Sequence, residues 1–370
     1  MSRSILSLYS LSSNPFLEGT HDFPMVDRKK LMDNFQRKLA TVVASGSPQI
    51  VFLIGDYGLG KTYALLQLKD RIKNSPDFSN LSAAVSIVYM KIVSPKPPGE
   101  YLTYMYSQIV TDLGRSFFED LAQKYQKLSE TDQEKLELET MFSRALKSFK
   151  KSDAAWSYLR GLAISATDAK ELEIRGRIAR DSDAMAALFS LLRLLNKTGK
   201  KSLLILIDEF EYLLTAAGEK RATQIIMTFK DLYDRITEQN GSSIANPVFL
   251  IASAPGAYRE LPSLAGKVGM GGVYPFLSRV YDTLYLDPFS KEETHQLLET
   301  RLERRRIGVK QRSIFPFTKD YVSFIATRCK GNPRLILHYS AVVLDEANVK
   351  KLRGIGAKDA KKILDEHGLP

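Results

Sequence analysis

Two groups of residues in this chain have the types and spacing to handle phosphate. The first lies in "LIGDYGLGKTY", where Gly55, Gly60, Lys61 and Thr62 fit G-x-x-x-x-G-K-[ST]. In such a loop backbone N–H groups cradle phosphate oxygens, the lysine reaches the terminal phosphates and the hydroxyl holds Mg²⁺. Gly58 and Tyr63 complete the stretch expected to touch the nucleotide. An ordinary glycine turn is the alternative. The apolar run before the loop and "ALLQLKDRIK" after it supply the strand and the helix that phosphate binding requires, and a helix N-terminus adds its positive dipole end. The second group is Asp208 and Glu209, which end "LLILIDE". An aspartate at the C-terminal end of a buried strand is placed to bind Mg²⁺ beside phosphates. Glu209 is the expected general base, because the attacking water must lie within hydrogen-bond reach of a carboxylate. Glu211 is the second candidate for that role, and a charged turn after a core strand is the alternative for both. The expected ligands are ATP and Mg²⁺.

The elements that must hold these groups are legible as apolar runs. "QIVFLIG" reads as the first strand and "AAVSIVYMKIV" as the second, ended by the breaker cluster "SPKPPGE". "LLILI" and "NPVFLIASAP" follow as strands, and "DTLYLDPFSKEETHQLLETRLERRR" gives a short strand, a proline turn and a helix. Ser290 and Glu293 form the capping box of that helix. Ahead of the first strand, "MVDRKKLMDNFQRKLATVV" predicts a helix starting near Asp27. Residues 101 to about 200 read as mostly helical, which is too long for one crossover and predicts a helical insertion. Strands alternating with helices predict an α/β fold, a mostly parallel sheet flanked by helices on both faces.

Composition excludes several classes. At 370 residues the chain suggests two or three domains. No apolar stretch approaches the roughly eighteen residues of a membrane span, and serines break the short apolar run of "MSRSILSLYSLSSNPF". The expectation is a cytoplasmic protein without a membrane partner. A single cysteine, Cys329, excludes an intramolecular disulfide and a cysteine-cluster metal site, and the four histidines lack metal spacing. The net charge of +11 is uneven: from Arg301 onward the chain carries 16 Lys and Arg against 7 Asp and Glu. A basic C-terminal region on a nearly neutral body suggests a polyanion, most plausibly nucleic acid, with a solvated helical surface as the alternative.

"GDYGLGKT", "LLILIDE", "FLIAS", "FLSR" and "GNPR" occur in the order and approximate spacing of AAA+ ATPases, and the chain resembles that family, in particular its origin-recognition branch. A further likeness, over "WSYLRGLAISATDAKELEIRGRIARDSDAMAALFSLLRLLNKTGKKSLLILIDEFEYL", is to the ATP-binding proteins of phage-exclusion (BREX) and similar defence loci. The resemblance covers roughly residues 14 to 345. It implies a P-loop NTPase core of AAA+ type with a C-terminal helical lid. It also implies that Asp208 belongs to the Walker B strand and that Ser253, as the polar sensor 1, orients water or the γ-phosphate, unless it only caps. Arg334 would reach the γ-phosphate as sensor 2, unless it is a surface arginine. Arg279 stands where many AAA+ proteins keep a finger arginine that completes a neighbouring subunit's site. The insertion before Asp208 is longer than in simple AAA+ modules. Origin-recognition proteins follow the lid with a winged helix, whereas here "VKKLRGIGAKDAKKILDEHGLP" follows, and "LRGIGAKDAKKIL" resembles a helix-hairpin-helix element that offers backbone N–H groups to a DNA phosphate.

The expected organisation is a lead over residues 1–26, an AAA+ α/β core over 27–287, a helical lid over 288–345 and a basic helical hairpin tail over 346–370. The expected function is an ATPase that uses Mg-ATP as a conformational and assembly switch, homo-oligomeric in the ATP state. It would act on or with DNA without reading sequence, through Arg304, Arg305, Arg306, Lys350, Lys351, Gly354, Gly356 and Lys358. The rival expectation is a signalling or scaffold ATPase whose helical insertion binds a protein partner.

Overall fold

The computed structural model of the chain describes residues 6–17, 29–92, 100–139, 141–149, 152–174, 177–215, 218–238, 243–267, 276–308 and 313–370. Strands β1 (Gln49–Ile54), β2 (Val85–Lys91), β3 (Ser202–Asp208), β4 (Asn246–Ser253) and β5 (Val280–Tyr285) form one sheet in the order β2-β3-β4-β1-β5. The pairs β1–β4, β2–β3 and β3–β4 are parallel. Every residue of β3 and β4 is buried. Near-continuous apolar runs such as "LLILI" are what strands covered on both faces require. The register sets Ile54 opposite Ser253, Ile207 opposite Ile251 and Lys91 opposite Asp208. The C-terminal ends of β1 to β4 therefore share one edge of the sheet. The glycine loop leaves β1 from that edge.

Helices α1 (Lys29–Ser45) and α2 (Lys61–Asn74) flank β1 in the chain. The start expected near Asp27 lies outside the described residues. Helices α3 (Tyr101–Leu113) and α4 (Asp181–Lys197) bound the insertion, with shorter helices such as Arg115–Gln126 and Asp153–Leu159 between them. In α3 the buried residues Tyr101, Leu102, Met105, Tyr106, Ile109 and Val110 recur at helical spacing and face β2 and α4. Helices α5 (Glu219–Glu238) and α6 (Pro255–Lys267) follow β3 and β4 respectively. After β5 come α7 (Lys291–Arg305), α8 (Lys319–Arg328), α9 (Pro333–Val349) and α10 (Ala357–Glu366). The start of α7 is the capping box read in the sequence: Glu293 N–H donates to Ser290 Oγ at 3.1 Å, and Ser290 N–H donates to Glu293 Oε2 at 2.7 Å.

The chain divides into two compact units. One comprises residues 34–54 and 68–284 and holds the sheet and the insertion around one apolar core. The other comprises residues 1–33, 55–67 and 285–370. Its core joins Leu6, Tyr9, Leu11 and Phe16 to residues of α7, α8, α9 and α10. The lead, lid and tail segments of the sequence thus share a single hydrophobic interior. Tyr9 donates its hydroxyl to Leu352 O at 2.7 Å, and Asn14 Nδ2 donates to Ala341 O at 3.0 Å. Among the described residues no helix is long and apolar enough to cross a membrane, and no group of three or more His, Cys, Asp or Glu is arranged to hold a metal ion.

Candidate nucleotide site

The loop over residues 55–60 adopts a conformation that its glycines permit. Gly58 and Gly60 have φ of +85° and +90°, a region that L side chains rarely enter. A Cβ on Gly58 would also lie 2.6 Å from Asn332 Oδ1. Lys61 opens α2, is only 8% exposed, and donates from Nζ to Gly55 O at 2.9 Å. Its ammonium is therefore folded back over the loop whose amides precede the helix. Thr62 is half-buried in the same turn. Glycine geometry, a helix N-terminus and a buried ammonium together form an anion cradle. The hydroxyl of Tyr63 is buried and meets the charges of Arg301 and Arg304. Burial is the dominant influence on that phenol and raises it above the ordinary tyrosine range.

The lid helix α9 reaches this loop through two residues. Asn332 caps the helix, its Oδ1 accepting from Arg334 N–H at 3.0 Å, while its Nδ2 donates to Tyr57 O at 2.8 Å. Arg334 lies over the ring of Tyr57, 4.9 Å from the centroid, and donates from Nη1 to its hydroxyl. Tyr57 is otherwise 73% exposed. Arg334, expected from "GNPR" to act as sensor 2, is thus held beside the phosphate loop. Sequence reasoning missed both Tyr57 and Asn332. The Asn-Pro pair that opens α9 is the signal for the cap, but its second hydrogen bond depends on tertiary structure.

In the other unit, the end of β3 presents the acidic pair. Asp208 is 1% exposed; its Oδ2 accepts from Tyr89 Oη at 2.9 Å and its Oδ1 from Glu209 N–H at 2.9 Å. Burial and the adjacent Asp208 carboxylate push the Tyr89 hydroxyl far above the ordinary tyrosine range, so it remains a donor. Glu209 takes φ of +60°, a conformation uncommon outside glycine and frequent at functional sites. Its Oε1 accepts from Lys91 Nζ at 2.8 Å, and that hydrogen bond is the main reason Lys91 holds its proton more tightly than an ordinary lysine. Tyr89 and Lys91 stand two apart on β2, so both side chains project from one face of the sheet. Neither was expected from sequence, because the pairing of β2 with β3 is set by register between distant strands.

Three further candidates have defined partners. Glu211 Oε2 accepts from Ala254 N–H at 3.2 Å, which ties the turn after β3 to the turn after β4. Ser253 is fully buried and donates from Oγ to Ala254 O at 3.2 Å. Arg279, just before β5, directs Nε and Nη2 at Asp234 Oδ1, at 2.7 and 2.6 Å, and lies 5.7 Å from the ring centroid of Tyr233. Burial opposes ionisation of Asp234, but Lys230 and Arg279 outweigh it and hold the carboxyl below its usual range.

The hairpin expected to grip phosphate through its backbone is built differently. Ile355 is buried; its N–H donates to Pro316 O at 2.9 Å and its carbonyl accepts from Thr318 N–H at 3.1 Å. Gly356 N–H donates to Asp359 Oδ2 at 3.1 Å and Ala357 N–H to Asp320 Oδ2 at 2.9 Å. Two carboxylates thus occupy the place that a phosphate would need, and like charge would repel one. Arg306 donates from Nη2 to Ser313 O and Phe315 O, at 2.9 and 2.7 Å, so it braces a turn. Lys350 pairs with Glu366 at 2.5 Å. Arg304, Lys351 and Lys358 are exposed, and Arg305 is half-buried at the end of α7.

A sequence profile of the family described as "BREX system ATP-binding protein BrxC/D" matches residues 136–345, more than half of the chain. The chain belongs to that family. The matched span runs from the insertion through Asp208 and Arg334 to the lid, and includes the segment from Trp156 to Leu213 on which the likeness was read in the sequence. No curated protein matches the sequence. Among solved structures, the fold is similar to the ORC2 protein of Aeropyrum pernix in its ADPNP–ADP complexes, with TM-score 0.54 and 16% identity over 95% of this chain and 71% of that one. It is also similar to a chain of Drosophila ORC bound to DNA, with TM-score 0.50 and 13% identity over 99% of this chain and 66% of that one. At such identities the likeness establishes the fold: this member of the BrxC/D family is an ATP-binding protein of AAA+ architecture.

Proposed function

We propose that the protein hydrolyses ATP and uses it as a conformational and assembly switch working with DNA. The observation that carries the switch is the hold of Asn332 and Arg334 on Tyr57, which ties the lid helix to the phosphate loop within one unit. A phosphate entering that loop competes for the guanidinium of Arg334, so the lid senses the nucleotide. Thr62 in one unit and Asp208 in the other each offer an oxygen donor of the kind Mg²⁺ takes, and the metal would neutralise charge on the phosphates. Glu209 accepts a proton from the attacking water. Arg279 completes a neighbour's site when copies assemble, after leaving Asp234.

The test is limited proteolysis with ATP, its non-hydrolysable analogue and ADP. ATP should change the cleavage of the lid relative to ADP, and Arg334→Ala should abolish that difference while nucleotide still binds. Identical digestion patterns for all nucleotides would remove the switch.

The basic C-terminal region supports a DNA client. A second reading, a protein client, is favoured by a groove of about 560 Å³ along α3, α4 and α5, lined by Leu102, Met185, Phe189, Arg193 and Arg235 among others. A gel shift with ATP analogues separates the two.

A further inference from the structure

We infer that the exposed face of α10, rather than the glycine turn before it, is the surface that takes the phosphate backbone of duplex nucleic acid. This rests on the reading of a DNA client and names where the duplex would sit. Residues 350–362 hold six cations and one carboxylate. Lys358, Lys361 and Lys362 stand at i, i+3 and i+4, hence on one face of α10, and all three are exposed. The opposite face, Ala360, Ile363 and Leu364, is buried in the core.

The carboxylates nearby have other partners, although Glu366 also feels the charge of Lys362. Asp359 and Asp320 accept from Gly356 and Ala357 N–H, Asp365 pairs with Arg328 at 2.8 Å, and Glu366 pairs with Lys350. Lys358, Lys361 and Lys362 form no ion pair with a described residue. Like charges at these spacings each cost a helix a few tenths of a kcal/mol, which Asp365 and Glu366, four residues beyond Lys361 and Lys362, offset only in part because both also pair with other cations. Together with Asp365 and Glu366 the three lysines line one shallow concavity of about 630 Å³.

The chemistry of this face fits a phosphodiester backbone. Lysines act as point charges that do not read bases, so binding would be blind to sequence. Lys358 and Lys362 lie about 6 Å apart along the helix axis, close to two of the roughly 3.4 Å steps between charges on one DNA strand. An anionic membrane fits less well. Interfacial helices insert an apolar face, and that of α10 is already buried.

The experiment titrates the full chain against two unrelated duplexes from about 50 to 200 mM salt, with Lys358→Glu/Lys361→Glu/Lys362→Glu and the milder triple Gln variant beside it. Circular dichroism melting checks that each variant folds, and the Gln triple serves if the Glu triple does not. The parent should bind both duplexes alike. In the variants the slope of log affinity against log salt should fall by about 2.7, three contacts at 0.9 each, with affinity at the lowest salt down at least tenfold. A parent that binds DNA and folded variants that bind it equally, with the same slope, would overturn this surface and leave the DNA reading intact. A parent that binds neither duplex would overturn both. Binding to phosphatidylserine vesicles in preference to duplex would overturn the proposal in favour of a membrane.

Discussion

Lys61 and Glu209 carry the sharpest expectations at the scale of single residues. Lys61 is buried, with its ammonium over the loop, so Lys61→Ala removes a charge-assisted contact to phosphate worth about 2–3 kcal/mol. ATP affinity measured by calorimetry should fall roughly 30- to 150-fold; equal affinity would sink the phosphate-loop assignment. For Glu209→Gln, the amide keeps the shape and cannot accept a proton, so turnover should drop about 10²- to 10⁴-fold with ATP still bound. Lys91 is a different matter. Its pair with Glu209 leaves the two side chains 48% and 45% exposed, and exposed pairs contribute about 1 kcal/mol at most. Lys91→Ala should therefore raise basal hydrolysis, by freeing the carboxylate, but by no more than about fivefold. A hundredfold loss would instead make Lys91 part of the chemistry.

At the scale of elements, the ends of helices matter more than their middles. Asn332 both caps α9 and holds the Tyr57 carbonyl, so Asn332→Ala should cost about 1 kcal/mol for the cap and loosen the loop as well. Thermal melting should show the first and a weakened ATP affinity the second; an affinity equal to the parent's would confine Asn332 to capping. Phe16 packs against Phe317 with ring centroids 5.7 Å apart, and Phe16→Ala should cost about 3–5 kcal/mol. Chemical denaturation checks that figure, and a loss below 1 kcal/mol would show the lead to be dispensable. These elements also mark where the sequence was readable. The parallel strands were plain, because "LLILI" and "VFLIAS" are short apolar runs of the length that strands covered on both sides have, and the glycine loop and Ser290 cap announce themselves locally. The roles of Tyr89 and Lys91 were hidden, since only the register of β2 against β3 brings them to Asp208 and Glu209. In the lead, serines break the apolar run around Leu6, Tyr9 and Leu11, yet those apolar residues are all buried. In the hairpin, "GIG" matched a phosphate-binding pattern, and the carboxylates that accept from Gly356 and Ala357 N–H come from Asp359 and from Asp320, far back in the chain.

At the scale of the whole molecule, assembly is tested by mixing. Arg279→Ala supplies an intact phosphate loop and Lys61→Ala an intact finger, so the proposed oligomer predicts that the mixture hydrolyses ATP faster than the sum of the two proteins alone. Additive rates would leave Arg279 as the partner of Asp234 within its own chain. The second unit, finally, gathers residues from both extremes of the polypeptide, and Tyr9 meets Leu352 across 343 positions. On a ribosome adding about 5–20 residues per second, Tyr9 emerges roughly 17–70 s before Leu352, and Leu6, Leu11 and Phe16 likewise precede the helices that will bury them. During synthesis the sheet unit can close first, while this apolar stretch stays bare. That interval leaves the nascent chain open to chaperones and to aggregation, and the phosphate loop, which belongs to the later unit, matures last.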